Sequence, residues 1–231
     1  MALILSIETS TQMCSVSLAR DGKVIESQSH LDGYSHASHL TILIENVFKG
    51  TGCKMSEIDA VAVSSGPGSY TGLRIGISTA KGICYALGKP LIAINSLEIM
   101  AWMMQDKYNG NDKTIRFCPM IDARRMEVYT TIFDSQIHSL SAIRAEIINS
   151  ESFAEDLQHQ KIIFGGNGAD KCHEVITHEN AIFLNDCSPL AQYMATTAEK
   201  CFNEGKFEDV AYMEPFYLKD FVATTPKNKV L

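Results

Sequence analysis

Leu40, Leu43, Ile44, Val47 and Phe48 recur at i, i+3, i+4, i+7 and i+8, the spacing of one apolar face on an amphipathic helix over 38–49; Ile42 lies off that stripe. Upstream, segments 3–9, 14–20 and 23–30 are rich in strand formers, and Asp21-Gly22 between the last two is a hairpin turn. A strand at 60–64 leads into Gly66-Pro67-Gly68-Ser69-Tyr70-Thr71-Gly72, a second helix follows Gly72, and 90–94 reads as a strand again. Hairpins followed by alternating helices and strands predict a mixed sheet with helices packed on it. A second round starts near Thr114, with strands at 117–122, 128–134 and 141–147, a helix at 152–158 and a strand at 161–164. The polar run 105–113, which contains Asn109-Gly110-Asn111-Asp112, clusters turn formers and marks the boundary between two α/β domains, 1–106 and 107–231.

The helix after Gly72 has no polar side of ordinary width. Leu73, Ile77, Ala80, Cys84 and Leu87 make one apolar face, and Ile75, Gly76, Thr79, Ile83 and Ala86 make another. Such a helix is either buried within its own domain or covered by a partner. Gly76 and Gly82 each forfeit about 1 kcal/mol of helix propensity relative to Ala, which close helix-to-helix approach would offset. The turn before it also has two readings. Its glycines allow the backbone to approach closely, and the free N–H groups of a helix start attract an anion; equally, the glycines serve sterics alone. Two phosphate-loop motifs are excluded. Leu73-Arg74 stands where the P-loop has Lys and then Ser or Thr, and Gly66, Gly68 and Gly72 miss the dinucleotide-binding spacing by one.

The 231 residues suffice for a sizeable core, and 45% apolar with 20% charged residues is a soluble globular balance. Seven cysteines, odd in number and without CxxC spacing, read as reduced core thiols and place the protein in the cytoplasm, with no leader or membrane span at its apolar but Ser6- and Glu8-interrupted start. Net charge is −7, and Arg124-Arg125 and Lys227-Asn228-Lys229 are the nearest approach to a basic run, which is a poor footing for gripping nucleic acid unaided. His173 and His178 look like a zinc-protease pair with one residue too many, since five residues on a helix set two imidazoles roughly 140° apart. His36 and His39 read as helix-surface histidines without a carboxylate or thiol at ligand spacing.

Four segments together carry a family resemblance. They are LILSIETSTQMCSVSLARDGKVI from Leu3, SSGPGSYTGLRIGISTAKGICYALGKPLIAINSLE from Ser64, MIDARRMEVYTTIF from Met120 and EPFYLK from Glu214. In these motifs, over essentially its whole length, the chain resembles the TsaB (YeaZ) family, the partner subunit of the bacterial machinery that makes threonylcarbamoyladenosine on tRNA. The resemblance implies the actin/hexokinase-like (ASKHA) fold, two related α/β domains with mixed sheets flanked by helices. It also implies a non-catalytic subunit that binds and activates the catalytic paralogue TsaD, with TsaE as a further partner, a homodimer when alone, and contact with tRNA only through the complex. The partner face it implies lies on the two N-domain helices: Leu40, Leu43, Ile44, Val47, Gly72, Ile75, Gly76, Thr79 and Ile83.

By the same resemblance the catalytic apparatus is worn. Ser96 and Met100 stand where TsaD carries two metal-holding histidines, and a hydroxyl and a thioether do not replace two imidazoles. Glu8-Thr9-Ser10 occupies the first phosphate loop of the fold. In the second, Arg124 stands where a Gly is expected two residues after Asp122, while Gly165 and Gly166 resemble the adenosine-side turn. The expectation is a cleft with no catalytic residue, no metal and no resident cofactor, open to weak nucleotide binding. The alternative is a small ATP-using enzyme or peptidase of the same fold.

Overall fold

The computed structural model describes residues 2–31, 36–108, 110 and 112–219. β1 (Leu3–Glu8), β2 (Met13–Arg20) and β3 (Lys23–Leu31) form an antiparallel meander, with Asp21 and Gly22 at φ 51° and 70° in the two-residue turn. α1 (His36–Thr51) and α2 (Tyr70–Leu87) each precede or follow β4 (Ala60–Gly66), and β5 (Leu91–Asn95) completes a sheet of order β3-β2-β1-β4-β5 in which β1, β4 and β5 run parallel. Alternation along β1 gives this sheet two buried faces. Leu3, Leu5 and Ile7 meet α1 and α2, while Ala2 and Ile4 point to the opposite side.

α3 (Ser96–Lys107) lies between that opposite side and a second sheet. Its Ile99 packs with Ala62 and Ile94 of the first, and its Leu97, Met100 and Met104 pack with Phe117, Ile121 and Ile163 of the second. The second sheet joins β6 (Arg116–Asp122), β7 (Glu127–Thr130), β8 (Arg144–Ile147), β9 (Ile162–Gly165) and β10 (Ala181–Leu184) in the order β10-β9-β6-β7-β8. Read from its own first strand, that is the order of the first sheet, with two antiparallel strands on one side and two parallel strands on the other. Two mixed sheets of one topology flanked by helices are the actin/hexokinase-like fold. α4 (Ala154–His159) covers the far face of the second sheet through Leu157.

Several expected bounds move. α2 starts at Tyr70, so Gly72 sits inside its first turn. β7 ends at Thr130 and not at 134, because Phe133 leaves the strand to bridge Phe117 and Ser139. The 106/107 division falls in the last turn of α3. Asn109 and Asn111 of the polar run, and the basic tail at Lys227 and Lys229, lie outside the described residues. After Leu190 the chain returns to the first sheet, where the Ala191–Met194 turn and α5 (Ala195–Asn203) lay Ala191, Met194 and Ala198 on Ala2, Ile4 and Ala60. From there it crosses α2, with Lys81 Nζ donating to the carbonyls of Ala211 at 2.9 Å and Met213 at 3.1 Å, and Met213 enters the core beside α2.

Candidate functional site

Gly66, Gly68, Gly72 and Gly76, before and within α2, are explained by contacts inside the chain, whereas Gly82 faces open space. A Cβ on Gly68 would lie 2.3 Å from Ser10 O, one on Gly72 2.1 Å from Thr9 O, and one on Gly76 2.2 Å from Thr9 Oγ1. The Thr9 hydroxyl donates to Gly72 O at 2.8 Å and the Ser69 N–H to Ser10 O at 2.7 Å. Ser69 caps the helix by accepting the Gly72 N–H at 3.2 Å. Gly66, at φ 111°, lies under the carbonyl of Phe216, whose N–H donates to Ser65 O at 2.7 Å. Of the two readings of this turn, the structure favours sterics: the Glu8–Ser10 segment and the end of the chain occupy the ground that an anion would need.

Of the nine residues of the expected partner face, Leu40, Leu43, Ile44 and Val47 are buried in the core cluster under α1, and Gly72 and Gly76 are buried against Thr9. Ile75, Thr79 and Ile83 stay half-buried. Between α1 and α2 a groove of about 530 Å³ remains, lined by Ile44, Phe48, Cys53, Met55, Thr79 and Ile83 and edged by the Glu45–Lys49 ion pair at 2.6 Å. Thr79 donates its hydroxyl to Ile75 O at 2.8 Å, so it lines the groove with its polar atom already paired. Ile42, off the stripe, is 51% exposed.

The residues expected to line a nucleotide cleft fall into two environments, buried at Glu8–Ser10 and exposed at Asp122 and Arg124. Glu8, Thr9 and Ser10 are fully buried. Glu8 Oε1 accepts the Ser10 N–H at 2.5 Å, and burial pushes the carboxyl up to about 7. Across the cleft, Asp122 accepts the Arg124 N–H at 3.1 Å and pairs with Lys171, while its own N–H donates to Asn167 Oδ1 at 3.0 Å. Arg124 and Arg125 both adopt positive φ, 71° and 51°, so the turn keeps a glycine-like backbone without glycine. Gly166, at φ 112°, has its Cβ position 2.3 Å from Met120 O and 2.5 Å from Met100 Sδ, and Gly165 is closed in by Met104 and Cys187. Met100 and Ser96 are fully buried, and the Ser96 hydroxyl has no partner among the described residues.

His36 is buried with Nε2 2.9 Å from Thr11 O, which corrects the expectation of a helix-surface histidine there, while His39 is half-buried on α1 and stacks on His30 at 4.0 Å. His173 and His178 are not on a helix: the short turn of Asp170–Cys172 ends at His173, which packs edge-on against Phe183, and His178 Nδ1 accepts the Asn180 N–H at 3.1 Å. Among the described residues no three His, Cys, Asp or Glu side chains are grouped to hold a metal, and no helix is long and apolar enough to cross a membrane.

A protein-family model described as TsaD, tRNA N6-adenosine threonylcarbamoyltransferase, matches residues 30–227. The tRNA threonylcarbamoyladenosine biosynthesis protein TsaB of Escherichia coli (strain K12) is 30% identical over 230 residues, 95% of this chain and 96% of that protein. The chain belongs to the TsaB (YeaZ) family. YeaZ from Pseudomonas aeruginosa superposes with a TM-score of 0.78 at 24% identity, covering 94% of this chain and all (100%) of the solved one. A second solved Pseudomonas aeruginosa chain, an uncharacterized protein with similarity to peptidase YEAZ, gives a TM-score of 0.82 at 25% identity over 95% and 100%.

Sequence reasoning missed Thr9 as the seat of the α2 glycines. The signal was present in the four-residue spacing of Gly68, Gly72 and Gly76, which sets one glycine edge along a helix.

Proposed function

We propose that this protein is a non-catalytic subunit in tRNA threonylcarbamoyladenosine biosynthesis, and that it binds and activates TsaD through the α1–α2 groove. The observation that carries the reading is that groove: an apolar surface bounded by Ile44, Phe48 and Ile83 on two helices whose other faces are already spent on the core, with Met55 of the turn after α1 beside them. With TsaD absent, the same face closes on a second copy of the chain; TsaE joins the complex as a further partner. The close Thr9–Gly72 and Met100–Gly166 contacts support a role without resident metal or cofactor and with no more than weak nucleotide binding. At net charge −7 the tRNA is held through the assembly, in the cytoplasm.

The test is a pull-down of TsaD by the wild-type chain and by Ile83→Glu, paired with a tRNA gel shift at fixed salt. A carboxylate in the groove cannot be desolvated against an apolar partner, so Ile83→Glu is expected to lose both TsaD capture and self-association while keeping its circular dichroism spectrum. TsaD is expected to create tRNA binding that the lone chain lacks. Full capture by Ile83→Glu, or phosphate release from ATP by the lone chain, overturns the reading.

A further inference from the structure

One face of the first sheet changes character along its length. Toward the start of β1 it is apolar, with Ala2 and Ile4 under α5. Further along the same face come Ser6 and Glu8, with Ser17 directly opposite Ser6 and Ser15 directly opposite Glu8 on β2. All four are buried, as are Ser10, Ser64 and Ser96 around them. The Ser15 hydroxyl accepts the Ala191 N–H at 2.9 Å, and the Ser64 hydroxyl accepts the Thr9 N–H at 3.4 Å. The rest are left over: Glu8 Oε2 and the hydroxyls of Ser6, Ser10, Ser17 and Ser96 have no partner among the described residues. Buried polar atoms need a partner, and a buried carboxyl with no cation beside it is stabilised by keeping its proton.

Among the described residues, the groups around Glu8 supply no counter-charge. β4 carries no ionisable side chain. Cys14 on β2 is the ionisable neighbour whose charge Glu8 influences, and burial holds that thiol neutral, up to about 11. Tyr193 of the Ala191–Met194 turn gives its hydroxyl to Asp106 at 3.0 Å, and Glu98 of α3 accepts the Thr197 hydroxyl at 2.9 Å. α2 presents its glycine edge to Thr9, and α5 meets the opposite end of β1.

We propose that the Glu8–Thr9–Ser10 turn is a proton-dependent seat for α2: Glu8 is the neutral acid while α2 is docked, and release of its proton to bulk water unseats the Gly72–Gly76 edge from Thr9. The coupling is short. Glu8 Oε1 holds the Ser10 N–H, Ser10 O holds the Ser69 N–H at the cap of α2, and Thr9 between them carries both glycine contacts. A carboxylate at this position draws water into the hydroxyl-lined space, and the turn that moves to admit it is the one on which α2 rests. The inference stands apart from the partner reading, because it is read on α2 of the lone chain.

The test is amide hydrogen exchange of the 70–87 segment in the full chain at pH 6 and pH 8, corrected for intrinsic exchange chemistry, on wild type and Glu8→Gln. Wild type is expected to lose protection in α2 by about tenfold at the higher pH, and Glu8→Gln to show no change, since its amide cannot ionise. Difference infrared spectroscopy of wild type alone supplies a second measurement that needs no variant: a buried carboxylic acid band present at pH 6 and lost at pH 8. Equal wild-type protection at both pH values, a pH response retained in Glu8→Gln, or absence of that band overturns the proposal. So does protection that follows sodium or potassium concentration and not pH, which would assign the space to a cation.

Discussion

Gly76 rests so closely on Thr9 that a methyl group on its α-carbon would lie 2.2 Å from Thr9 Oγ1, a distance that real Cβ atoms do not show. One turn earlier Gly72 meets the carbonyl of the same residue at 2.1 Å. The two contacts differ in what can yield. Gly76→Ala is expected to destabilise the protein by about 1–3 kcal/mol, and Thr9→Ala to recover part of that loss by removing the hydroxyl. Gly72→Ala is expected to be as costly and to gain nothing from Thr9→Ala, because its obstacle is backbone. Urea unfolding of the single and double variants measures this, and equal recovery at both positions would show that the seat is softer than the distances imply.

The thiols separate by exposure. Cys14, Cys84 and Cys118 are buried, and burial pushes them up to about 11, 11 and 12; Cys53 is half-buried and lines the groove. A maleimide at pH 7.5 should therefore modify Cys53 first, with those three protected until the chain unfolds. If the groove is the partner face, association slows Cys53 labelling. Peptide mapping by mass spectrometry with and without partner checks both points, and unaltered Cys53 labelling in the complex would move the interface elsewhere.

Stability should depend on pH through Glu8. Its carboxyl lies at about 7 in the folded chain against an ordinary glutamate value of 4.5, so between these values the folded state binds the extra proton. The contribution is fully present below pH 4.5 and is lost as pH rises through 7, by about 3 kcal/mol in all. Wild type is thus expected to weaken from pH 5 to pH 8 while Glu8→Gln stays flat over that range, which thermal melts in matched buffers will show. A wild-type profile parallel to that of Glu8→Gln would remove Glu8 from the account.

The returning segment holds α2 from the solvent side. Met213 is 7% exposed in the core of the first sheet, and Lys81 grips the backbone on either side of Tyr212. Met213→Ala is expected to cost about 2–4 kcal/mol, and Lys81→Met well under half of that, its bonds being close to the surface. Trp102, the single tryptophan, donates to Thr197 Oγ1 at 3.2 Å between α3 and α5 and reports the unfolding by fluorescence. A Met213→Ala midpoint equal to wild type would mean that the segment adds no stability.

How far the sequence could be read depended on whether an element shows its environment in its own pattern. α1 did, because Leu40, Leu43, Ile44, Val47 and Phe48 face one core while Ile42 faces solvent. α3 did not: it is apolar toward two sheets at once, through Ile99 on one side and Met100 and Met104 on the other, so no period separates an inner from an outer face. β10 and α5 are short and lie in polar sequence, and their places are set by β9 and by the first sheet, far away along the chain. For the candidate site, the two apolar faces of α2 were legible and the division of labour between them was not. Gly72 and Gly76 carry the same letters whether a partner or Thr9 fills the space above them.

The return of residues 191–213 to the first sheet has a consequence for synthesis. The segment that makes β1 to β5 is translated first, yet one of its faces is roofed by Ala191, Met194 and Ala198 and the edge of its other core by Met213. A nascent chain that has reached β10 still exposes Ala2, Ile4 and Ala60, so the half made earliest is the half completed last, and ribosome-bound chains halted before Ala191 should need a chaperone that those released at full length do not.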